Sequence, residues 1–192
     1  MTILFWLTIL HIPALREKYQ CRMAIISIIA AVSDDLGIGM KNELLWNIPE
    51  DLRRFKKLTM GKCIIMGKRT WESLPRKPLP GRKNIVLTDV PEECIDCSVT
   101  AYSIEDALGK CGNDEEIFVI GGGSVYRQFM PYADRLYITH VHRNSPADTW
   151  FPKIDMRKWR IFDKQECISG DDNMIPYTYV VYERKGRSQV TS

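Results

Sequence analysis

Three segments of this sequence bring together residue types that could do chemistry. In the first, Ile64-Ile65-Met66-Gly67-Lys68-Arg69-Thr70 leads into Trp71–Leu74; in the second, Val119-Ile120-Gly121-Gly122-Gly123-Ser124 leads into Val125–Met130. Both read as a strand, a turn and a helix start. Free backbone N–H groups and the positive end of a helix dipole can then face an anion. Three successive glycines let the backbone press against a phosphate. Two anion seats at neighbouring strand ends suit a dinucleotide, one for each phosphate cluster. Each piece also has a plainer reading. A glycine triplet makes a tight turn, and a Lys-Arg pair makes a solvated face. Neither segment is a standard nucleotide motif. Tyr126 stands where G-x-G-x-x-G needs its last glycine. Gly61 and Gly67-Lys68 have one residue too many between them for a P-loop, whose Ser or Thr is here Arg69.

The third segment is Asn47-Ile48-Pro49-Glu50-Asp51-Leu52-Arg53-Arg54-Phe55. Pro49 fits the first turn of a helix, where its missing N–H costs nothing. On that helix Asp51 shares a face with Phe55 and Leu58, and its neighbours Leu52 and Trp46 are apolar too. A carboxylate facing an apolar surface is expensive unless it meets a partner. It could cap the first-turn amides, or recognise an amidine-like heterocycle by paired hydrogen bonds. Glu50, about 100° round the helix, is expected on the solvent side.

The elements that must position these groups can be read from the apolar runs. Ile25–Val32, Cys63–Met66, Ile85–Leu87 and Ile117–Ile120 are short, β-branched and bounded by turn residues. Such runs suit strands buried on both faces of a parallel sheet. Helical stretches lie between them at Glu50–Leu58, Thr70–Leu74, Ile104–Gly109 and Ser124–Met130. Arg135–His142 and Tyr177–Arg184 alternate with no helix between them and read as antiparallel strands completing one edge. The result is an α/β domain.

A chain of 192 residues, 45% hydrophobic and 27% charged, has enough apolar surface for one sizeable core and is neither disordered nor collagen-like. A net charge of +3 is too mild to demand nucleic acid. Its distribution is uneven. Twelve Lys/Arg stand against four Asp/Glu over Lys41–Lys83, and nine acidic residues against one basic over Asn84–Glu116. A locally basic half suits an anionic small molecule.

Cysteines 21, 63, 94, 97, 111 and 167 lack disulfide-framework spacing and read as reduced thiols of a cytoplasmic chain. The lone Cys94-Ile95-Asp96-Cys97 has no second pair, and His140 with His142 has no third ligand, so no metal is expected. Met1–Leu10 is apolar but far short of the ~20 residues that span a bilayer. It lacks a basic start and a cleavage site, so residues 1–22 read as a non-functional appendage.

In these motifs the chain resembles dihydrofolate reductase over residues 23–185, with 186–192 as a tail. The resemblance rests on Ser27-Ile28-Ile29-Ala30-Ala31, Gly37-Ile38-Gly39, Leu44-Leu45-Trp46-Asn47-Ile48-Pro49-Glu50-Asp51-Leu52 and Phe55. It continues through Met66–Ser73, Pro78-Leu79-Pro80-Gly81-Arg82-Lys83-Asn84, Ile120–Gly123, Leu136–His140 and Asp148-Thr149-Trp150-Phe151-Pro152. The family usually has Leu-Pro-Trp where this chain has Leu44-Leu45-Trp46. Membership implies one domain with a mainly parallel, twisted eight-stranded sheet, an antiparallel C-terminal edge strand and flanking helices. It implies NADPH-dependent reduction of 7,8-dihydrofolate to tetrahydrofolate for one-carbon metabolism. A monomer with a small-molecule substrate, and neither nucleic acid nor membrane as partner, is expected.

Residue by residue, the resemblance implies that Asp51, supported by Thr139, holds the pterin and assists its protonation, with Trp46 and Leu44 beside the reacting centre. The Ile29 carbonyl would face the pterin. Ala30, Leu52, Phe55, Leu74, Leu79 and Ile120 would line the pocket, and Arg82 would clamp the glutamate tail as a planar bidentate donor. For the cofactor, Lys68, Arg69 and Thr70 would surround the 2′-phosphate, with Thr88, Asp89 and Tyr102 nearby. Gly121, Gly122, Gly123, Ser124, Val125, Tyr126 and Gln128 would face the pyrophosphate and nicotinamide end, with a cis Gly121–Gly122 peptide. Ala31 would also contact the cofactor, and Gly37, Ile38, Gly39, Met40, Lys41, Asn42 and Glu43, flowing into Leu44 and Trp46, would form a mobile loop closing over the nicotinamide. A riboflavin-pathway reductase shares fold and cofactor but lacks the Trp46, Asp51, Arg82 and Thr139 set. A non-catalytic NADPH-binding module would bind without turnover, and a nucleotide kinase lacks its P-loop.

Overall fold

The run Ile25–Ser33 becomes β1, the strand from which the architecture is most easily followed. The computed structural model describes residues 24–170 and 174–186, so the expectation for residues 1–22 lies outside the described residues. β1 pairs in parallel with β7 (Glu116–Gly121) on one side and β8 (Arg135–Val141) on the other. Beyond β7 lie β4 (Cys63–Gly67), β5 (Lys83–Leu87) and β6 (Val99–Ala101), all parallel. Beyond β8 lie β11 (Pro176–Arg184) and β10 (Trp159–Ile168), each antiparallel to its neighbours. The eight-stranded order is β10-β11-β8-β1-β7-β4-β5-β6.

Strand alternation divides the interior in two. Ile26, Ile28, Ile65, Val119, Leu136 and Ile138 point to one face, where Phe129 covers them from α4 (Gly123–Phe129) and Ala107 from α3 (Ile104–Cys111). Ile29, Ile64, Met66 and Phe118 point to the other. There they meet Phe55 and Leu58 of α1 (Pro49–Thr59) and Trp71 of α2 (Lys68–Ser73). Each fully buried aliphatic side chain contributes roughly 1.5–3 kcal/mol. Because the parallel strands share a direction, the carboxyl ends of β1, β4, β7 and β8 open on one side, where α/β sheets bind ligands.

Several expectations change. The edge is not Tyr177–Arg184 but β10, whose positions are almost all exposed on both faces and so show no apolar period. The segment Arg135–Val141 is antiparallel only to β11; with β1 it is parallel. Cys63 and Cys111 are joined as a disulfide, with Cα atoms 5.6 Å apart, rather than both being reduced. Forty-eight residues separate them in sequence, and only the packing of α3 against the sheet brings them together. Cys94, Cys97 and Cys167 are free.

The segment expected to close over the nicotinamide is built as a small second sheet, with β2 (Gly37–Met40) between β3 (Glu43–Leu44) and β9 (Thr149–Trp150). Lys41 and Asn42 both have positive φ, 50° and 67°, as a tight two-residue hairpin turn of right-handed twist demands.

Candidate active site

Asp51 lies in the first turn of α1, directly over the carboxyl end of β8. Pro49 opens the helix and Ile48 caps it without a side-chain hydrogen bond. The Asp51 carboxylate is met from the sheet, where Thr139 Oγ1 donates to Asp51 Oδ1 at 2.5 Å. Thr139 is buried and fixed between Ala31 of β1 and Tyr179 of β11 by strand register. Burial pushes the Asp51 carboxyl above its ordinary range, while the Thr139 hydrogen bond and the positive charge of Arg54 pull it back. Arg54, one turn along the helix, lies over the ring of Tyr179 at 4.1 Å. Glu50 departs from its expected solvent position. Its Oε1 accepts from Arg53 Nη2 at 2.7 Å, and its Oε2 is buried without a hydrogen-bond partner among the described residues.

Below Asp51 sits a group that sequence reasoning assigned only to the cofactor. The Tyr126 hydroxyl is buried and donates to the Ile29 carbonyl at 2.8 Å. Burial raises its pKa, and the Asp51 charge raises it further, so it stays a neutral donor. The Ile29 carbonyl thus keeps one lone pair for a substrate donor. Ala30 points its methyl into the opposite core, so a substrate can meet only its backbone.

Phe55, Leu58, Leu74, Leu79 and Ile120 converge with Ile29 and Phe118 into an apolar wall. Leu52 and Leu44 are exposed, while Trp46 packs with Ile48 against Val141 and Tyr177. At the far end of the wall the Arg82 guanidinium lies 5.7 Å from the Phe55 ring centre and donates to Thr59 Oγ1 at 3.2 Å. Partial burial lowers its pKa from the ordinary arginine value. Asn84, which the site reading missed, holds the Leu79–Arg82 turn. Its side chain accepts from Leu79 N and donates to the carbonyls of Leu79 and Arg82, at 2.9, 3.0 and 2.9 Å. A buried asparagine next to a Pro-Gly turn is a signal that could have found it.

The two glycine turns are neighbours because Met66 of β4 pairs with Gly121 of β7. The Gly121–Gly122 peptide is cis, and Gly121 has φ 119°, which L side chains rarely adopt. A Cβ at Gly121 would meet the Tyr126 hydroxyl at 3.0 Å, one at Gly122 would meet Thr70 Oγ1 at 3.3 Å, and one at Gly67 would meet Val125 Cγ2 at 3.0 Å. Bare backbone is therefore required here, and a phosphate-bearing ligand fits against it. The Val125 side chain is buried against Gly67, leaving its backbone for a cofactor, while Ser124 and Gln128 are exposed.

Lys68 and Arg69 diverge. Lys68 pairs with Glu93, and the positive charge of Arg69 adds slightly to the lowering of the Asp148 pKa, just before β9. Thr88 and Asp89 line a cavity of about 430 Å³ with Tyr102, Pro91 and Glu92. The hairpin is held by Asp148, whose Oδ2 accepts from Lys41 N at 2.7 Å and whose N–H donates to the Gly39 carbonyl at 3.0 Å.

This is the layout of an α/β enzyme that holds a dinucleotide beside a half-buried carboxylate. A family model for dihydrofolate reductase matches residues 25–184. The chain is 42% identical over 164 residues to the dihydrofolate reductase of Bacillus subtilis (strain 168), covering 85% of this chain and 97% of that one. It is 44% identical over 157 residues to that of Neisseria gonorrhoeae, covering 82% and 96%. A solved dihydrofolate reductase from Enterococcus faecalis, complexed with NADP(H) and RAB-propyl, superposes with a TM-score of 0.79 at 28% identity, covering 85% of this chain and 98% of that one. The chain belongs to the dihydrofolate reductase family, and it is an oxidoreductase that reduces dihydrofolate with NADPH.

Proposed function

We propose that Asp51 is the group that makes the pterin reducible, and that residues 23–185 form the complete catalytic unit. The carrying observation is the Asp51–Thr139 pair, a carboxylate in apolar surroundings met by a neutral hydroxyl. NADPH supplies the hydride when bound; the chain supplies alignment and control of charge. A carbon–nitrogen double bond accepts hydride far better once its nitrogen is protonated. Asp51 favours that cation, while Thr139 and the Ile29 carbonyl fix the ring by hydrogen bonds. Phe55, Leu74, Leu79 and Ile120 exclude water from the ring faces, and Arg82 receives the substrate's carboxylate. The β2–β3 hairpin, with Leu44 and Trp46 at its base, closes the nicotinamide end. Gly121–Gly123 and Thr70 give the backbone and hydroxyl contacts for the pyrophosphate, and Lys68 with Thr88 forms the seat of the 2′-phosphate.

All these residues come from one chain, so the enzyme is proposed to work as a monomer. No helix among the described residues is long and apolar enough to cross a membrane. The proposed location is the cytoplasm, where cellular reductants would open the Cys63–Cys111 disulfide of this structure. The test is the fall in NADPH absorbance on adding 7,8-dihydrofolate. Turnover that methotrexate competes away supports the site, and NADPH binding without turnover would contradict it. Alkylation of thiols in intact cells tests the compartment, since a protected Cys63–Cys111 pair would point elsewhere.

A further inference from the structure

The donors proposed for the 2′-phosphate already have an anion. Lys68 Nζ donates to Glu93 Oε1, and Thr88 Oγ1 donates to Glu93 Oε2 at 2.5 Å, so one carboxylate joins both groups. Its position is built by the loop of residues 88–98 between β5 and β6. The Tyr102 hydroxyl donates to the Glu93 carbonyl at 2.9 Å, Glu93 N donates to the Val90 carbonyl at 3.4 Å, and Val90 N donates back to Thr88 Oγ1 at 3.2 Å. Asp89 and Glu72 add negative charge around Lys68. The cavity lined by Thr88, Asp89, Pro91, Glu92 and Tyr102 opens beside this pair and leaves room for the adenosine end of a ligand.

We propose that Glu93 competes with the cofactor's 2′-phosphate for Lys68 and Thr88, and thereby sets how strongly this enzyme prefers NADPH to NADH. The inference rests on the seat of the 2′-phosphate proposed above. A carboxylate and a phosphate against one ammonium repel each other, and Thr88 Oγ1 has one proton to donate, so the phosphate binds more weakly while Glu93 stays. A cofactor with a bare 2′-hydroxyl meets no such conflict, because a ribose hydroxyl can donate to a carboxylate, as in NAD-selective enzymes. Glu93 is thus a specificity-determining residue that penalises the phosphorylated cofactor alone.

The experiment is calorimetric binding of two fragments that carry no nicotinamide, 2′,5′-ADP and 5′-AMP, so that turnover plays no part. The full chain is compared with Glu93→Gln, Glu93→Ala and Lys68→Gln. Both Glu93 variants are expected to tighten 2′,5′-ADP by about tenfold, the scale of one charge-assisted contact, and to move 5′-AMP by less than about twofold. Lys68→Gln should loosen 2′,5′-ADP. Unchanged or weaker 2′,5′-ADP binding in the Glu93 variants, with the Lys68 loss intact, overturns the competition and leaves the seat standing. Equal tightening of both fragments also overturns it. If Lys68→Gln binds like the parent, the seat itself is wrong and the competition falls with it.

Discussion

At one end of the cleft, Asp51 meets a threonine hydroxyl, apolar walls and an arginine one turn away; at the other, Lys68 meets Glu93, with Glu72 and Asp89 close by. The two arrangements push protons in opposite directions. Burial raises the Asp51 carboxyl towards neutrality, whereas pairing lowers Glu93 and raises Lys68, locking both in their charged forms. A group that must exchange a proton needs the first environment, and a fixed charge that only has to recognise another needs the second. On the reading proposed above, the reaction's chemistry belongs to the Asp51 end, and the tuning of cofactor choice to the Lys68 end.

The largest test of that contrast is Asp51→Asn. It should cut dihydrofolate reduction at neutral pH by about 10²–10⁴-fold, the scale of general acid–base catalysis, with a smaller loss in acid where solution protonates the substrate. Stability should move the other way. The folded-state pKa of Asp51 is raised, so the ionised carboxylate costs stability as pH climbs through the folded pKa; below the unfolded value of about 4 that cost is absent. The variant should melt higher than the parent at pH 7 and no higher at pH 3. A lower melting temperature at pH 7 would show that the charge is better satisfied than this surrounding implies.

Next comes Thr139→Val, which keeps the shape and removes the donor to Asp51. That hydrogen bond favours the ionised form, so the pH–rate midpoint should rise, and kcat/KM at neutral pH should fall by about tenfold, as for a bond to a charged group. A midpoint that stays put would mean that Thr139 positions the ring without tuning Asp51.

The cofactor end is then separated by comparing Lys68→Gln with Arg69→Gln. Because Lys68 is paired with Glu93 beside Thr88 while Arg69 contributes a small part of the charge felt by Asp148, their losses should differ. Lys68→Gln should raise the KM for NADPH by several-fold more than Arg69→Gln, and neither should much affect NADH. Equal losses would return both residues to one phosphate seat.

What could be read in advance follows the same divide between local and non-local physics. The buried parallel strands, the helix opened by Pro49 and the apolar face holding Asp51 all follow from period and residue type within a few neighbours. The resemblance added Thr139 and Arg82, which no spacing connects to Asp51. Other features were illegible because partners far apart in sequence create them. Glu93 looks like one more residue of an acidic stretch until β5 and β6 place it on Lys68. Cys111 meets Cys63 only through the return of α3. The exposed edge β10 hid because a strand exposed at almost every position on both faces, with a bulge between Ile161 and Asp163, has no clean alternation. That the Ala30 side chain joins the opposite core, leaving only its backbone towards the cleft, follows from the alternation of β1 rather than from residue type.

The smallest effect is expected at the hairpin, where neither a buried charge nor a phosphate is involved. Asp148 is exposed and joins the β2–β3 turn to β9 through Lys41 N, while its own amide holds Gly39. Asp148→Ala removes the side-chain acceptor but leaves the backbone bond, so the three-stranded sheet should persist in a looser form. The melting temperature should change little, since an exposed hydrogen bond contributes little to global stability. Hydride transfer measured in single turnover should slow by a few-fold, because closure over the nicotinamide end becomes less favourable. Asp148→Asn, which keeps an oxygen acceptor for Lys41 N, should recover most of that rate. If the alanine variant transfers hydride at the parent rate, the hairpin is a fixed wall of the cleft rather than a closing element.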